Sequence, residues 1–236
     1  MCRLFGWKVK NQAGKRMFRV KICGVRRIAD VVATADSGAD AIGLNFFRAS
    51  IRFVDAVLAS ELSAEAEERG LLRVGVFVDE KVESTLAISD QVGLDFVQLH
   101  GNESLQVAER LIAAGERVIR AIRLPVGRLE SEEIEERIVP WREIGCDLLL
   151  DADAGAQGGG AGMRLDWSAI GRWRAEFGGS DSWALAGGLA PQTIAKAIAA
   201  SQARSIDVAS GVEHPRGVKS ATLIKEFVHN SGFRTA

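Results

Sequence analysis

Two residues at the ends of apolar runs could accept and donate protons. Cys23 ends the run FRVKIC, and a thiolate there could remove a proton from carbon. Lys21 lies two residues earlier on the same strand face, so its ammonium would favour the thiolate by lowering a thiol pKa of about 8.5. Asp151 follows three leucines, where a carboxyl group is costly without a partner or a task. Each residue could also be structural, because a lone strand-end cysteine is usually a small buried apolar group.

Other polar residues follow further apolar runs. Arg48 and Arg52 lie in the segment FFRASIRFV, where a guanidinium could bind a carboxylate in a bidentate pair or remain a solvated charge. Gln98 and His100 share one face of the run FVQLH. The histidine could transfer protons or only line a site, and its residue type does not decide between these roles.

Glycine-bearing turns follow three of the runs. The first, AGAQGGGAGM after Asp151, reads as a mobile lid or as backbone that approaches a ligand. The second contains Gly187 and Gly188 in AGGLAP, and the third contains Ser210 and Gly211 in ASGVEH. Amides of such turns bind phosphate without needing net charge, and the formal net charge here is only -1. The sequence therefore predicts a phosphate site at the last two turns.

The elements that position these residues alternate between short runs rich in valine and isoleucine and longer amphipathic segments, which is typical of parallel βα units. Glycines close several of the helical segments, where a left-handed cap is expected, at Gly38, Gly70, Gly93, Gly115 and Gly145. Eight strands are predicted, at 18–23, 41–46, 73–78, 96–100, 117–124, 147–153, 182–187 and 205–210.

Eight strand–helix units in this length predict a single-domain α/β protein, a (β/α)8 TIM barrel, since no GxGxxG follows the first strand. Catalytic groups of such barrels sit at the C-terminal ends of the strands, and phosphate commonly binds after strands seven and eight. The polar residues described above occupy those positions.

Composition excludes several other classes of protein. The 30 basic and 31 acidic side chains produce no field that would gather nucleic acid, and no apolar stretch is long enough for a membrane span. The three cysteines are scattered and lack metal-binding spacing, which suits a cytoplasmic protein.

The first 17 residues are expected to be an extension outside a barrel that comprises 18–236. They are basic but have neither the apolar region nor the cleavage site of a secretory signal. MCRLFG resembles the start of class II glutamine amidotransferases, in which Cys2 would be a nucleophile, but nothing downstream resembles the rest of that domain. Met17 is the simpler natural start, because the first apolar run begins directly after it.

From residue 18 to about residue 227, the ordered motifs resemble the phosphoribosylanthranilate isomerase family. These motifs are VKICG, SIRFV, GVFV, VQLHG, LLLDAD, GGGAGMRLDW, LAGGLAP and DVASGVE. The family isomerises N-(5-phosphoribosyl)anthranilate, in tryptophan biosynthesis, by an Amadori rearrangement that uses no cofactor. The resemblance implies the same fold and the same reaction for this chain, without metal or organic cofactor, in a monomer or a homodimer.

The resemblance also implies roles for particular residues. Cys23 would be the base that removes the sugar C2 proton, and Asp151 the acid that protonates the ring oxygen. Arg52 would hold the anthranilate carboxylate, Asp207 would orient its amino group, and His100 would line the site. Gly187, Gly188, Ser210 and Gly211 would form the phosphate site.

Departures from the family pattern leave two questions open. The lid is one residue longer than usual, so Asp153 is an alternative to Asp151 as the acid, although its strand-end position favours Asp151. A related histidine-pathway isomerase would have an aspartate where Cys23 stands, which disfavours that alternative. An inactive phosphosugar-binding barrel is the remaining alternative, disfavoured by the joint presence of Cys23, Asp151 and Arg52.

Overall fold

A computed structural model of the chain describes residues 17–152, 165–177 and 182–233. Eight parallel strands close into a barrel in chain order, and a helix follows each strand on the outside, which confirms the predicted (β/α)8 fold. The strands are β1 (Val20–Cys23), β2 (Ala41–Asn45), β3 (Leu72–Phe77), β4 (Phe96–Leu99), β5 (Val118–Leu124), β6 (Asp147–Ala152), β7 (Trp183–Leu185) and β8 (Ile206–Val208).

The helices cover the outer face of the barrel. They are α1 (Ile28–Asp36), α2 (Ala56–Glu68), α3 (Val82–Val92), α4 (Leu105–Ala113), α5 (Ser131–Glu143), α6 (Trp167–Phe177), α7 (Ile194–Ser201) and α8 (Ala221–Ser231). The predicted cap glycines all have positive φ, as left-handed helix ends require. Ser220 caps α8 by accepting from the amide of Leu223 at 3.4 Å, as its residue type predicts. No helix in the described ranges is long and apolar enough to cross a membrane.

Alternation along each strand divides the core into two parts. On β1, Val20 and Ile22 point outward into the large apolar cluster between barrel and helices, whereas Lys21 and Cys23 point inward. The lower interior is filled by a second, smaller cluster that includes Phe96, Ile119 and Leu149. On β1 and β4, the inward polar residues Lys21, Cys23 and Gln98 therefore lie above this apolar cluster, toward the C-terminal ends of the strands.

Met17 lies inside the barrel packing and not outside it. It is 1% exposed and packs with Phe18 in the lower interior cluster, at the end of the barrel opposite the strand C-termini. The boundary predicted after residue 17 is thus one residue too late, because an apolar side chain at that position closes the floor. Residues 1–16, including Cys2, lie outside the described residues, so the proposed extension remains a prediction.

Candidate active site

Cys23 ends β1 and is 9% exposed, at the inner rim of the barrel mouth. Gly43 on the neighbouring strand leaves room for it: a Cβ there would lie 2.8 Å from Cys23 Sγ and 3.1 Å from Lys21 Cε. Burial is the largest influence on the pKa of the Cys23 thiol and raises it; with the charge of Asp207, which also raises it, burial outweighs the lowering by Lys21, Lys219 and Arg52. The sequence correctly placed an ammonium beside the thiol but did not foresee that burial has the larger effect.

Lys21 lies fully buried beneath the thiol and joins two other strands. Its Nζ donates to Asp207 Oδ1 on β8 at 2.9 Å and to Gln98 Oε1 on β4 at 3.0 Å. Burial lowers the pKa of Lys21, but the charge of Asp207 and its hydrogen bond to the ammonium oppose this, so the pKa is raised overall and the ammonium is retained. A buried charge of this kind is stable only because it is paired and hydrogen-bonded.

Arg52 is brought to the same side of the mouth from the loop after β2. Gly24, which turns the chain at the end of β1 with a φ of 78°, has no Cβ that would collide with Arg52 Cδ. The guanidinium forms a bidentate pair with Glu213, through Nε at 2.6 Å and Nη2 at 2.8 Å. Lys219 Nζ donates to the same carboxylate at 2.8 Å and to the carbonyl of Ala209.

The pKa of Glu213 reflects this pairing. Burial raises it, but the hydrogen bonds from Arg52, Lys219 and the amide of Gly217, together with the charge of Lys219, hold it at about 2. We call this half of the mouth the base side and define it by Lys21, Cys23, Arg52, Asp207, Glu213 and Lys219.

Asp151 lies near the end of β6, where its carboxyl group is partly exposed. Its Oδ1 accepts from the amide of Ala152 at 2.8 Å, and its Oδ2 lies 3.4 Å from His100 Nε2. The other ring nitrogen of His100, Nδ1, lies 2.9 Å from Gln98 Nε2. Gln98, His100 and Asp151 form what we call the acid side.

The two glycine turns predicted to bind phosphate lie against each other. Gly211 packs on the carbonyl of Leu189, where a Cβ would collide with the oxygen. Gly187 lies beside Asp151: a Cβ on it would be 2.5 Å from the amide nitrogen of Ala152 and 3.0 Å from Asp151 Oδ1. Ser210 and Gly211 begin a short 3-10 helix, Ser210–Val212. The turns after β7 and β8 thus form one surface that reaches the acid side.

Most of the site residues predicted from the sequence lie at one mouth of the barrel, but Asp153 is not among the described residues. The structure brings together Cys23, Arg52, His100, Asp151, Asp207 and the two turns. Asp153 and the glycine-rich segment after it lie outside the described residues. Across the described ranges, no three His, Cys, Asp or Glu side chains converge as a metal-ligand set.

Glu213 and Lys219 lie at this mouth beside Arg52 but were not predicted from the sequence. Both side chains are 1% exposed and carry opposite charges next to the predicted carboxylate-binding arginine. Glu213 stands in the motif DVASGVE, and Lys219 stands in RGVKS. The only signal was the presence of two opposite charges in one short irregular segment, and such charges are usually solvated.

A closed (β/α)8 barrel with titratable groups and paired glycine turns at its C-terminal mouth defines a class, that of the TIM-barrel enzymes. The family model for N-(5'-phosphoribosyl)anthranilate isomerase matches residues 20–230. The chain belongs to this family. The isomerase of tryptophan biosynthesis predicted from the sequence motifs is therefore confirmed as its functional class.

Relatives with that name are similar over nearly their whole length. The protein of Thermotoga neapolitana is 37% identical over 212 residues, which cover 90% of this chain and 97% of the relative. That of Rhodospirillum rubrum is 40% identical over 216 residues, covering 89% and 95%.

Solved structures are similar over the same range. The phosphoribosyl anthranilate isomerase of Thermotoga maritima superimposes with a TM-score of 0.78 at 36% identity, covering 92% of this chain and 99% of that one. A structure of such an isomerase in complex with reduced 1-(o-carboxyphenylamino)-1-deoxyribulose 5-phosphate has a TM-score of 0.75 at 33% identity, with the same coverage. A further structure, at TM-score 0.74 and 34% identity, shows monomers generated from the dimeric Thermotoga maritima protein.

Proposed function

We propose that the chain converts N-(5'-phosphoribosyl)anthranilate to 1-(2-carboxyphenylamino)-1-deoxyribulose 5-phosphate, with Cys23 as the base and Asp151 as the acid. One observation carries this assignment. Both side chains face inward near the C-terminal ends of their strands at one barrel mouth, and the Gly187 turn packs against Asp151. A substrate whose phosphate met that turn would bring its sugar over the mouth between the two groups.

Ring opening comes first. The Asp151 carboxyl group donates its proton to the ring oxygen while the bond between that oxygen and C1 breaks, and the nitrogen lone pair forms a C1=N bond. The amide of Ala152, which donates to Oδ1 at 2.8 Å, stabilises the carboxylate that remains. A partly exposed acid suits this step, because its proton can be replaced from water after each turnover.

Proton removal at C2 follows. The Cys23 thiolate takes the proton, the C–H electrons form a C1=C2 bond, and the C=N electrons return to nitrogen. The resulting enol becomes the ketone when C1 gains a proton and the C2 hydroxyl loses one. Because burial raises the pKa of Cys23, the thiolate is the minor form in the unliganded protein. The cationic imine formed by ring opening would favour the thiolate directly beside C2.

The base side would bind the anthranilate group. The Glu213 pair occupies Nε and Nη2 of Arg52, so a substrate carboxylate would have to use Nη1 or displace Glu213. Asp207 Oδ1 accepts a hydrogen bond from Lys21, so the anthranilate amino group would donate to the other oxygen, Oδ2. Ser210, Gly211 and Gly188 would complete the phosphate site with amide and hydroxyl donors.

We place this activity in the cytoplasm, because it uses a reduced cysteine, and we expect a monomer or a homodimer. Cys23 and Cys146 are both free and buried. Light scattering of the purified chain would separate the two oligomeric states, and a larger assembly would contradict both.

Rescue of a tryptophan auxotroph that lacks this isomerase is the test of the proposed reaction. We expect the full chain to restore growth without tryptophan and the Asp151→Asn variant, expressed at equal soluble level, not to do so. Failure of the folded wild-type chain would contradict the proposed reaction. Growth supported by Asp151→Asn would instead remove Asp151 from the role of acid, with Asp153 as the next candidate.

A further inference from the structure

An unbroken series of polar contacts crosses the barrel from the base side to the acid side. Asp207 Oδ1 and Lys21 Nζ are 2.9 Å apart, and Lys21 Nζ and Gln98 Oε1 are 3.0 Å apart. Gln98 Nε2 then lies 2.9 Å from His100 Nδ1, and His100 Nε2 lies 3.4 Å from Asp151 Oδ2. The inner part of this series is sealed, with Lys21 0% and Gln98 1% exposed.

The donors and acceptors of this series can be assigned in only one way. An ammonium has three donors and no acceptor, so the group of Gln98 that faces Lys21 must be the carbonyl oxygen. The amide NH2 therefore faces His100 and donates to Nδ1, which must carry a lone pair. The single proton of the neutral imidazole then sits on Nε2, the nitrogen that faces Asp151. Reversing the amide would press its NH2 against the buried ammonium.

We propose that Gln98 is a positioning residue for the acid: anchored by Lys21, it holds His100 as the Nε2–H tautomer, whose protonated nitrogen lies 3.4 Å from Asp151 Oδ2. The proposal rests on the proposed function in taking Asp151 as the acid. Gln98 touches neither reacting atom in this scheme and acts through the ring of His100.

The tautomer matters because it decides where the proton of the acid can go. With the Nε2–H form, His100 offers Asp151 a donor, so a protonated carboxyl group cannot give its proton to the ring and keeps it for the substrate. Once that proton has left, Nε2–H and the amide of Ala152 each donate to one carboxylate oxygen. With the opposite tautomer, a lone pair would face Oδ2 and compete with the ring oxygen of the sugar for the proton.

The first measurement is the tautomer itself, in the full chain with 15N-labelled histidine. Two-bond 1H–15N correlation spectra distinguish a protonated ring nitrogen from one with a lone pair, and a His100→Gln variant assigns the signals. We expect Nε2 of His100 to be protonated and Nδ1 to carry the lone pair in the wild-type chain. In Gln98→Glu, which keeps an acceptor for Lys21 but offers His100 only acceptors, we expect a proton on Nδ1.

The second measurement is steady-state kinetics on the same chains. We expect Gln98→Glu and Gln98→Met each to lower kcat by about tenfold, with KM changed less than about twofold. Gln91→Met on the exposed face of α3 is the matched control and should leave both constants unchanged. Thermal unfolding of each variant checks that it is folded.

A coupling test separates positioning from a general structural role. In His100→Gln, the new amide can donate to Asp151 whatever residue stands at position 98, so adding Gln98→Met should change kcat by less than about twofold. A proton on Nδ1 in the wild-type chain, an unchanged kcat in both single variants, or an undiminished effect of Gln98→Met in the His100→Gln background would each overturn the proposal. Normal turnover by Asp151→Asn would overturn the proposed acid instead, while the spectra would still report the tautomer.

Discussion

The two sides of the barrel mouth are built differently. On the base side, charged groups are buried and paired: Lys21 with Asp207, and both Arg52 and Lys219 with Glu213. On the acid side, Asp151 and His100 are partly exposed, and one neutral hydrogen bond from Gln98 orients the ring. Removing one partner from a buried charge network is costly, whereas partly exposed polar contacts contribute little stability.

Because the two sides differ in burial, substitutions on them should affect turnover and stability differently. Changes on the base side should alter both turnover and the free energy of unfolding, because the ion pairs near the thiol also join β1 to β8 and the loop after β2 to the segment after β8. Changes to the partly exposed Asp151 and His100 should alter turnover with little change in stability, whereas the buried Gln98 also accepts from Lys21.

Removing either titratable group should have the largest effect on turnover. We expect Cys23→Ala and Asp151→Asn each to lower kcat by about 10²- to 10⁴-fold with little change in substrate affinity, since general acid–base groups act on the reacting protons. Stopped-flow binding and steady-state assays measure the two quantities separately. Near-normal turnover in either variant would remove that residue from the mechanism.

Cys146→Ala is the matched control for the thiol. Burial raises the pKa of Cys146 to about 12, and this cysteine packs in the cluster outside the barrel. Its replacement should leave kcat unchanged. A loss of turnover comparable to that of Cys23→Ala would mean that thiol loss acts through packing and not through chemistry.

Glu213→Gln should cause the largest loss of stability. It leaves the buried cations of Arg52 and Lys219 without their shared carboxylate, which should cost about 3–5 kcal/mol at pH 7. Urea unfolding measures the loss. Glu226→Gln, on the exposed face of α8, is the control and should be neutral.

The stability that Glu213 contributes should depend on pH, and its pKa gives the sign of that dependence. The folded pKa of Glu213, about 2, is below its unfolded value of about 4.3, so its ionised form stabilises the fold above the unfolded value. That stability is lost as the pH falls through about 2. The difference between wild type and Glu213→Gln should therefore shrink between pH 5 and pH 2. A difference that stays constant over this range would show that Glu213 does not carry the stabilising charge.

Gly43→Ala tests whether space on the base side is limiting. The new Cβ would lie 2.8 Å from Cys23 Sγ, so the thiol or β2 must shift by several tenths of an ångström. We expect kcat to fall by about tenfold and stability by about 1–3 kcal/mol. Gly171→Ala on α6, which would press on the carbonyl of Ala200 far from the mouth, should lower stability without lowering kcat in the folded protein. Equal kcat losses in both variants would refute a local effect on the thiol.

The strands and their facing could be predicted because they follow from local alternation. All eight predicted strands are present, most of them a residue or two shorter, and Lys21 and Cys23 share the inward face as their spacing requires. The polar position of Gln98 beside His100 was visible for the same reason. Periodicity within one strand is enough to place such residues.

The pairing on the base side could not be predicted because it depends on contacts between distant segments. Arg52 and Glu213 are 161 residues apart in sequence, and Glu213 meets Lys219 only because the segment after β8 folds back on itself. The net pKa of Cys23 was also beyond sequence reasoning. It depends on how completely the thiol is removed from water, which spacing does not report.

Deleting residues 1–16 should have the smallest effect and provides the reference for the comparison. Met17 becomes the first residue and keeps its place in the barrel floor, at the end opposite both sides of the mouth. We expect kcat within about twofold of the full chain, and a melting temperature lowered by no more than about 2 °C, equivalent to less than about 1 kcal/mol. Calorimetry and steady-state assays on the two chains measure this. A larger fall in melting temperature with unchanged kcat would show that the extension packs on the floor. A fall in kcat alone would mean that the extension reaches the mouth. Turnover would then depend on the extension as well as on the base side and the acid side.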